Sequence, residues 1–259
     1  MIDLSYSAAG ALTGFVVGLT GVGGGAIMTP ILLLVFGVAP HTAVATDLWF
    51  AAITKLVGAP IHHRSGHVDW QVAKRLWIGS LPVSLVVALC VNMGGGSVKV
   101  DWLSKAVGGV VVMTALGLIL APQLASMARK KRLGEPVKFK AMQPGLTVLV
   151  GALLGLCVAL TSVGAGAMGT VMLMYLYPLR MTPHRLVATD LVHAIPLALV
   201  ASFGYLIAGA VDWHMLASLL VGSIPAVVAG SLLSGKAPGR WVRVSVAAVL
   251  LLAGIKMVG

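Results

Sequence analysis

Apolar runs occupy most of the chain, and the polar or glycine-rich positions that interrupt them mark out its elements. The first apolar block covers residues 7–37 but is broken by Gly21, Gly23, Gly24 and Gly25. Unbroken, it would be a helix roughly 45 Å long against a hydrocarbon core of about 30 Å. The pattern therefore predicts two short arms, over 7–20 and 26–37, that meet at the glycines. Full-length helices are expected at 43–62, 71–92 and 103–121. A basic polar stretch, RKKRLGEPVKFK over 129–140, comes next. Beyond it the order recurs, with arms at 145–160 and 167–177 and helices at 185–208, 214–234 and 240–258.

The recurrence is also one of residues. TGVGGGAIMTP at 20–30 returns as TSVGAGAM at 161–168, and PHTAVATDLW at 40–49 returns as PHRLVATDLV at 183–192. Shifted by 143 positions without gaps, residues 40–82 match residues 183–225 at 18 of 43 positions, far beyond chance. The chain thus divides into a first membrane repeat (1–128), a basic connector (129–142) and a second repeat (143–259). A broken apolar helix followed by an apolar helix with a lone Asp, present twice, is the layout expected where discontinuous membrane helices meet at a central site.

Composition agrees with the pattern. Hydrophobic residues make up 59% of the 259 positions and charged residues 10%, with a mean hydropathy of +1.01. So few charges could not cover a soluble surface, and the expected class is an all-α polytopic membrane protein. The net charge of +11 calls for no nucleic acid, because basic residues accumulate in the cytoplasmic loops of membrane proteins. Cys90 and Cys157 lie in apolar runs without CxxC spacing, and Asp3 without a basic n-region makes the start of the chain a first helix rather than a cleaved signal.

Charge also orients the chain. The connector, with Arg129, Lys130, Lys131, Arg132, Lys138 and Lys140, is expected to be cytoplasmic, as is the loop region with Arg64, Lys74 and Arg75. Its repeat equivalent, around 207–217, has Asp212 and no Lys or Arg, and should face outward. Equivalent loops on opposite sides make the two repeats inverted. Reading 145–177 as a hairpin then places Arg180, Arg185, Lys236, Arg240 and Arg243 inside and both termini outside, with Lys256 the exception.

Three groups could carry chemistry. The first is the pair of helix breaks, where arms starting at Ala26 and Ala167 would aim free N–H groups and positive dipole ends at the protein centre. Gly21, Gly23, Gly24, Gly25, Gly164, Ala165 and Gly166 would let a small anion approach the backbone, and Thr20, Thr161 and Ser162 would add hydroxyl donors. The alternative is close helix packing through small residues.

The second group is the duplicated VATDL motif, with Thr46 and Asp47 in one copy and Thr189 and Asp190 in the other. Each Asp either complements its own helix dipole or takes up and releases a proton during transport, with His193 three residues after Asp190 as a relay candidate. Asp69 and Asp212, in the repeated G-x-VDW motif, read as structural acids that start helices. The third group is Lys55, eight residues after Asp47 in mid-helix and equivalent to Ala198. A mid-span Lys normally faces a partner or a cavity, so Lys55 is expected either to hold an anion or to snorkel to an interface. His62, His63 and His67 form a cluster at a helix end that does not recur, and Trp49 and Phe50 read as packing residues.

The run from Gly14 to Ala26, the PHxxVATDL run from Pro40 to Leu48 and their second copies resemble the TauE/SafE family of membrane proteins, also called the sulfite exporter family. The likeness covers essentially the whole chain, although Ser162 and Ala165 stand where the first copy has glycines. The resemblance implies export of sulfite, sulfoacetate or related sulfonates across a bacterial plasma membrane, the cell's inner membrane. The expected function is thus a secondary transporter of small sulfur-containing anions, working in the lipid bilayer by alternating access around a midplane site, with no cofactor and no metal. A divalent metal or proton-coupled cation transporter is the alternative, with Asp47 and Asp190 as ligands. An intramembrane enzyme would need a nucleophile with a base or a set such as HExxH, and neither pattern is present.

Overall fold

The computed structural model describes residues 2–20, 25–63, 68–93, 100–134, 136–164, 166–233 and 239–258. Among them there is no strand, and ten helices follow one another: α1 (Leu4–Thr20), α2 (Gly25–Leu34), α3 (Pro40–His63), α4 (Trp70–Met93), α5 (Val100–Gly134), α6 (Pro136–Thr161), α7 (Ala167–Leu176), α8 (Pro183–Ile207), α9 (Trp213–Leu233) and α10 (Gly239–Val258). Five of the described helices contain a segment long and apolar enough to cross a bilayer: Trp70–Cys90, Ser104–Leu124, Lys140–Thr161, Arg185–Ile207 and Trp213–Leu233. The protein is an all-α polytopic membrane protein.

The short arms predicted on either side of each break are present as α1 with α2 and α6 with α7. Gly21, Gly23, Gly24 and Ala165 lie outside the described residues. Two lengths differ from expectation. The connector is helical over most of its described length, because α5 continues through its basic residues to Gly134 and α6 starts at Pro136. For the same reason α6 is a helix of 26 residues, not an arm of 145–160. Lys, Arg, Leu and Met are good helix formers, so the loss of hydrophobicity after residue 128 changes the environment without ending the helix.

The hairpin expected over 145–177 is present. Gln143 Nε2 donates to the Leu176 carbonyl at 2.8 Å, and the Thr147 and Tyr177 hydroxyls are hydrogen-bonded at 2.7 Å. The chain therefore rises along α6 to the break and returns along α7 to the level at which α6 began. The α7–α8 connection then meets the start of α4. Arg180 grips Asp69 with Nε at 2.6 Å from Oδ2 and Nη2 at 2.8 Å from Oδ1, and Arg75 Nη1 donates to the Tyr177 hydroxyl at 3.4 Å. On the opposite side, the Asp3 N–H donates to Ser218 Oγ at 3.1 Å and the Tyr6 ring packs on Phe36.

Helix contacts come in pairs related by exchange of the halves. Gly10 lies against the Leu219 carbonyl and Gly14 against Ser223, as Gly151 lies against the Leu76 carbonyl and Gly155 against Ser80. Gly222 and Gly79 complete the two seams against Ser7 and Val148. These contacts advance together along both chains, so α1 runs parallel to α9 and α6 parallel to α4. Small residues let the backbones touch, which is how helices associate where lipid removes the hydrophobic drive. Asp69 and Asp212 start their helices as expected, Oδ1 accepting from the Val72 N–H at 3.3 Å and from the Met215 N–H at 2.9 Å.

Candidate functional site

The centre of the fold is where α3 and α8 cross. His41 stacks near Tyr205 with ring centroids 5.1 Å apart, while Lys55, fourteen residues further along α3, lies within Coulombic reach of Asp190, fifteen residues earlier on α8. The two helices therefore run antiparallel, and Lys55 meets Asp190 at a common depth. The same register sets Asp47 across from Ala198. One half thus presents a lysine to the other half's carboxylate, and the reciprocal position has nothing charged to offer.

Burial at this crossing is complete. Thr46, Asp47, Thr189, Asp190 and His193 are at most 1% exposed and Lys55 2%. Ammonium and carboxylate groups are rare so far from water unless they face a partner or a cavity. Trp49 packs on Trp213, with centroids 6.0 Å apart, and Phe50 is buried in the main core.

The two carboxylates are held differently. The Thr29 hydroxyl on α2 donates to Asp47 Oδ2, and the Thr29 backbone adds a second hydrogen bond. Ser162, from the break of the second half, acts on the same carboxylate, although its Oγ makes no hydrogen bond of good geometry. Asp190 instead lies beside Gly169, in the first turn of α7, where a Cβ on the glycine would come within 2.8 Å of Oδ1. Neither Asp190 oxygen has a hydrogen-bond partner among the described residues. His193 shares a 3.0 Å hydrogen bond between Nε2 and Ser80 Oγ on α4, while its Nδ1 has no partner among the described residues.

Each Asp therefore sits at the positive end of the short helix of its own half, not merely in its own helix's first turn. A protein carboxylate thus lies beside each short helix, Asp47 at Thr29 of α2 and Asp190 at Gly169 of α7. The hydroxyls expected to serve a ligand are partly committed elsewhere. Thr161 Oγ1 donates to the Cys157 carbonyl at 2.6 Å and accepts from the Val163 N–H at 3.1 Å, which shapes the break itself. Thr189 Oγ1 accepts from the Asp69 N–H at 3.0 Å and Thr46 Oγ1 from the Asp212 N–H at 3.2 Å. This pair ties the VATDL turn of one half to the start of the other half's following helix.

Ser162 and Gly164 take the backbone through positive φ, at 58° and 124°. Ser162 occupies a place where the first repeat has Gly21, and a non-glycine residue there carries strain of about 1–3 kcal/mol. Gly166 stands just before α7 and Gly25 opens α2. The side chain of Thr20, like those of His62 and His63, is not among the described ones, and His67 lies outside the described residues. Among the described residues no group of three His, Cys, Asp or Glu side chains could hold a metal ion.

Thr29, Ser80 and Gly169 were not predicted. Thr29 and Ser80 are isolated polar residues in apolar helices, a pattern usually satisfied by the helix's own carbonyls. Thr170, the repeat equivalent of Thr29, is satisfied that way, donating to the Gly166 carbonyl at 2.6 Å. The available signal was recurrence, since Thr29 returns as Thr170 and Ser80 as Ser223.

Comparison with known proteins adds an independent line. The family model described as "Sulfite exporter TauE/SafE" matches residues 6–257. The "Probable membrane transporter protein YjnA" of Bacillus subtilis (strain 168) is 35% identical over 260 residues, covering 99% of this chain and 100% of that protein. A second Bacillus subtilis relative, "Probable membrane transporter protein YdhB", is 25% identical over 222 residues and 85% of each chain. A "Probable membrane transporter protein" of Haemophilus influenzae is 27% identical over 164 residues, 61% of this chain and 57% of that one. No solved structure matches.

Proposed function

The chain belongs to the TauE/SafE sulfite exporter family and is a membrane transporter, and from that premise we propose that it is a secondary transporter exporting small sulfur-containing anions such as sulfite or an organosulfonate like sulfoacetate. The observation that carries this reading is Lys55. It is a buried lysine placed where the two halves cross, within Coulombic reach of Asp190, which itself lies beside the start of α7. A desolvated cation next to half-helix N-termini is suited to a small oxyanion, whose charge it balances while backbone N–H groups orient the oxygens.

In this reading the substrate lies between Lys55, the break residues Ser162, Gly164, Ala165 and Gly166, and the matching residues Gly21 to Gly25. Asp47, Asp190 and His193 are the candidate coupling groups. Alternating access follows from two inverted repeats rocking around a fixed site. The parallel pairing of α1 with α9 and α6 with α4 supports that relation, since α8 and α9 are joined by a short turn and α8 runs alongside α4. The basic connector faces the cytoplasm of a bacterium by the distribution of Lys and Arg, and the Arg180–Asp69 grip is on that side.

A thermal-shift panel on the detergent-purified protein tests the reading. Sulfite, thiosulfate, sulfoacetate, acetate, Ni²⁺ and Zn²⁺ would be compared at matched ionic strength. A ligand at about 100 times its Kd adds roughly 2.7 kcal/mol of stability. Stabilisation by at least one sulfur anion and by neither metal is the expected outcome. Stabilisation by the metals alone would overturn the anion reading in favour of a cation carrier using Asp47 and Asp190.

A further inference from the structure

We propose that Asp190 is an internal stand-in for the substrate: in the empty transporter its carboxylate is the counter-ion of Lys55, and when an anion takes that place Asp190 accepts one proton. This rests on the anion site just described and adds the stoichiometry and the residue through which protons enter. The chemical step is a proton transfer only, from water on the open side to the Asp190 carboxylate, with no bond made to the anion.

Lys55 brings one positive charge to the crossing, and Asp190 and Asp47 bring two negative ones, so an added anion would raise an existing excess. A proton taken up with the anion offsets one of the negative charges that it brings. Which carboxylate takes it follows from hydrogen bonding. Asp47 accepts hydrogen bonds from the Thr29 hydroxyl and backbone, with Ser162 acting on it as well, and such bonds favour a carboxylate over a carboxylic acid. Asp190 has no hydrogen-bond donor among the described residues, and Lys55 is the charged group that acts on it. Once Lys55 turns to a substrate, Asp190 is a buried charge with no compensation, and such a group neutralises.

The neighbouring groups leave few competitors for that proton. α3 supplies Lys55 and Asp47, and α8 itself supplies His193, which is hydrogen-bonded to Ser80 on α4. Cys157 on α6 lies beside Gly164. Towards the ends of these helices lie Asp69, paired with Arg180, and Tyr177, hydrogen-bonded to Thr147, while Lys74, Arg75 and Tyr175 keep accessible surface. The asymmetry of the repeats is what makes one site. Ala198 stands where a second lysine would face Asp47; Lys55 acts on Asp47 as well, but more strongly on Asp190, which makes Asp190 the carboxylate that exchanges with the substrate.

The test is calorimetric titration of the purified full-length protein with thiosulfate, which does not itself titrate in this range, in buffers of different ionisation enthalpy between about pH 6 and 9. Wild type is expected to take up close to one proton per thiosulfate at the alkaline end, with affinity falling about tenfold per pH unit there. Asp190→Asn should bind with no proton uptake and pH-independent affinity, and Asp190→Glu should restore both. Asp47→Asn should keep one proton per anion whatever its affinity. Binding to wild type without proton uptake, or uptake that survives in Asp190→Asn, overturns this inference and leaves the anion site standing. If wild type binds none of the sulfur anions, the anion site itself is wrong and this inference with it.

Discussion

Lys55→Ala is expected to destabilise the protein by about 1–3 kcal/mol, the cost of leaving a buried polar group without the group that acts on it. The cost comes less from the lost attraction than from Asp190, which would stay desolvated with neither oxygen hydrogen-bonded within the described structure. Adding Asp190→Asn to Lys55→Ala removes the carboxylate that must otherwise take up a proton, so at alkaline pH the double variant should be more stable than Lys55→Ala alone. Thermal unfolding of the two single variants and the double in one detergent measures the coupling. Strictly additive effects would show that these two residues are not partners. Anion binding should be lost in both variants that lack Lys55, because restoring stability does not restore the positive charge.

Gly222→Val and Gly79→Val should each cost about 3 kcal/mol or prevent folding outright. A Cβ at Gly222 would run into the Ser7 carbonyl and one at Gly79 into the Val148 carbonyl, so the side chain cannot be absorbed by a rotamer change and the helices must part. Overpacking costs about 1–3 kcal/mol in soluble cores and occasionally more. In these seams the backbone contact is itself the adhesive. Gly109→Ala on α5 is the control, since nothing lies within 4 Å of its would-be Cβ. It should be neutral, or stabilising by up to about 1 kcal/mol from helix propensity. Yield and melting temperature of the three variants decide the matter. Equal tolerance of all three would mean that the seams are looser than the contacts imply.

Much of the fold could be read in the sequence because membrane helices are specified by composition and length, and because the chain states its plan twice. The glycine breaks, the hairpin over α6 and α7, and the grouping of Arg75 with Arg180 all follow from apolar run lengths and charge placement. What could not be read is pairing across the crossing. VATDL announces that Asp47 and Asp190 matter, yet nothing local says that Thr29 holds one while the other faces Lys55. That difference arises from the antiparallel register of α3 and α8, which is a tertiary fact. The helix ends at the basic connector likewise do not follow the apolar pattern, because hydropathy reports the surroundings of a segment and helix propensity reports its backbone.

The central claim is that a sulfur-containing anion passes through a site whose positive charge is Lys55. Efflux of radiolabelled sulfite and thiosulfate from proteoliposomes tests it most directly, with wild type compared against Lys55→Ala and Lys55→Arg reconstituted to equal density. The account predicts saturable efflux of at least one of the two anions by wild type, at least a hundredfold loss in Lys55→Ala, and partial retention in Lys55→Arg. Undiminished efflux in Lys55→Ala, or wild-type vesicles that release neither anion but carry a metal cation, would contradict it.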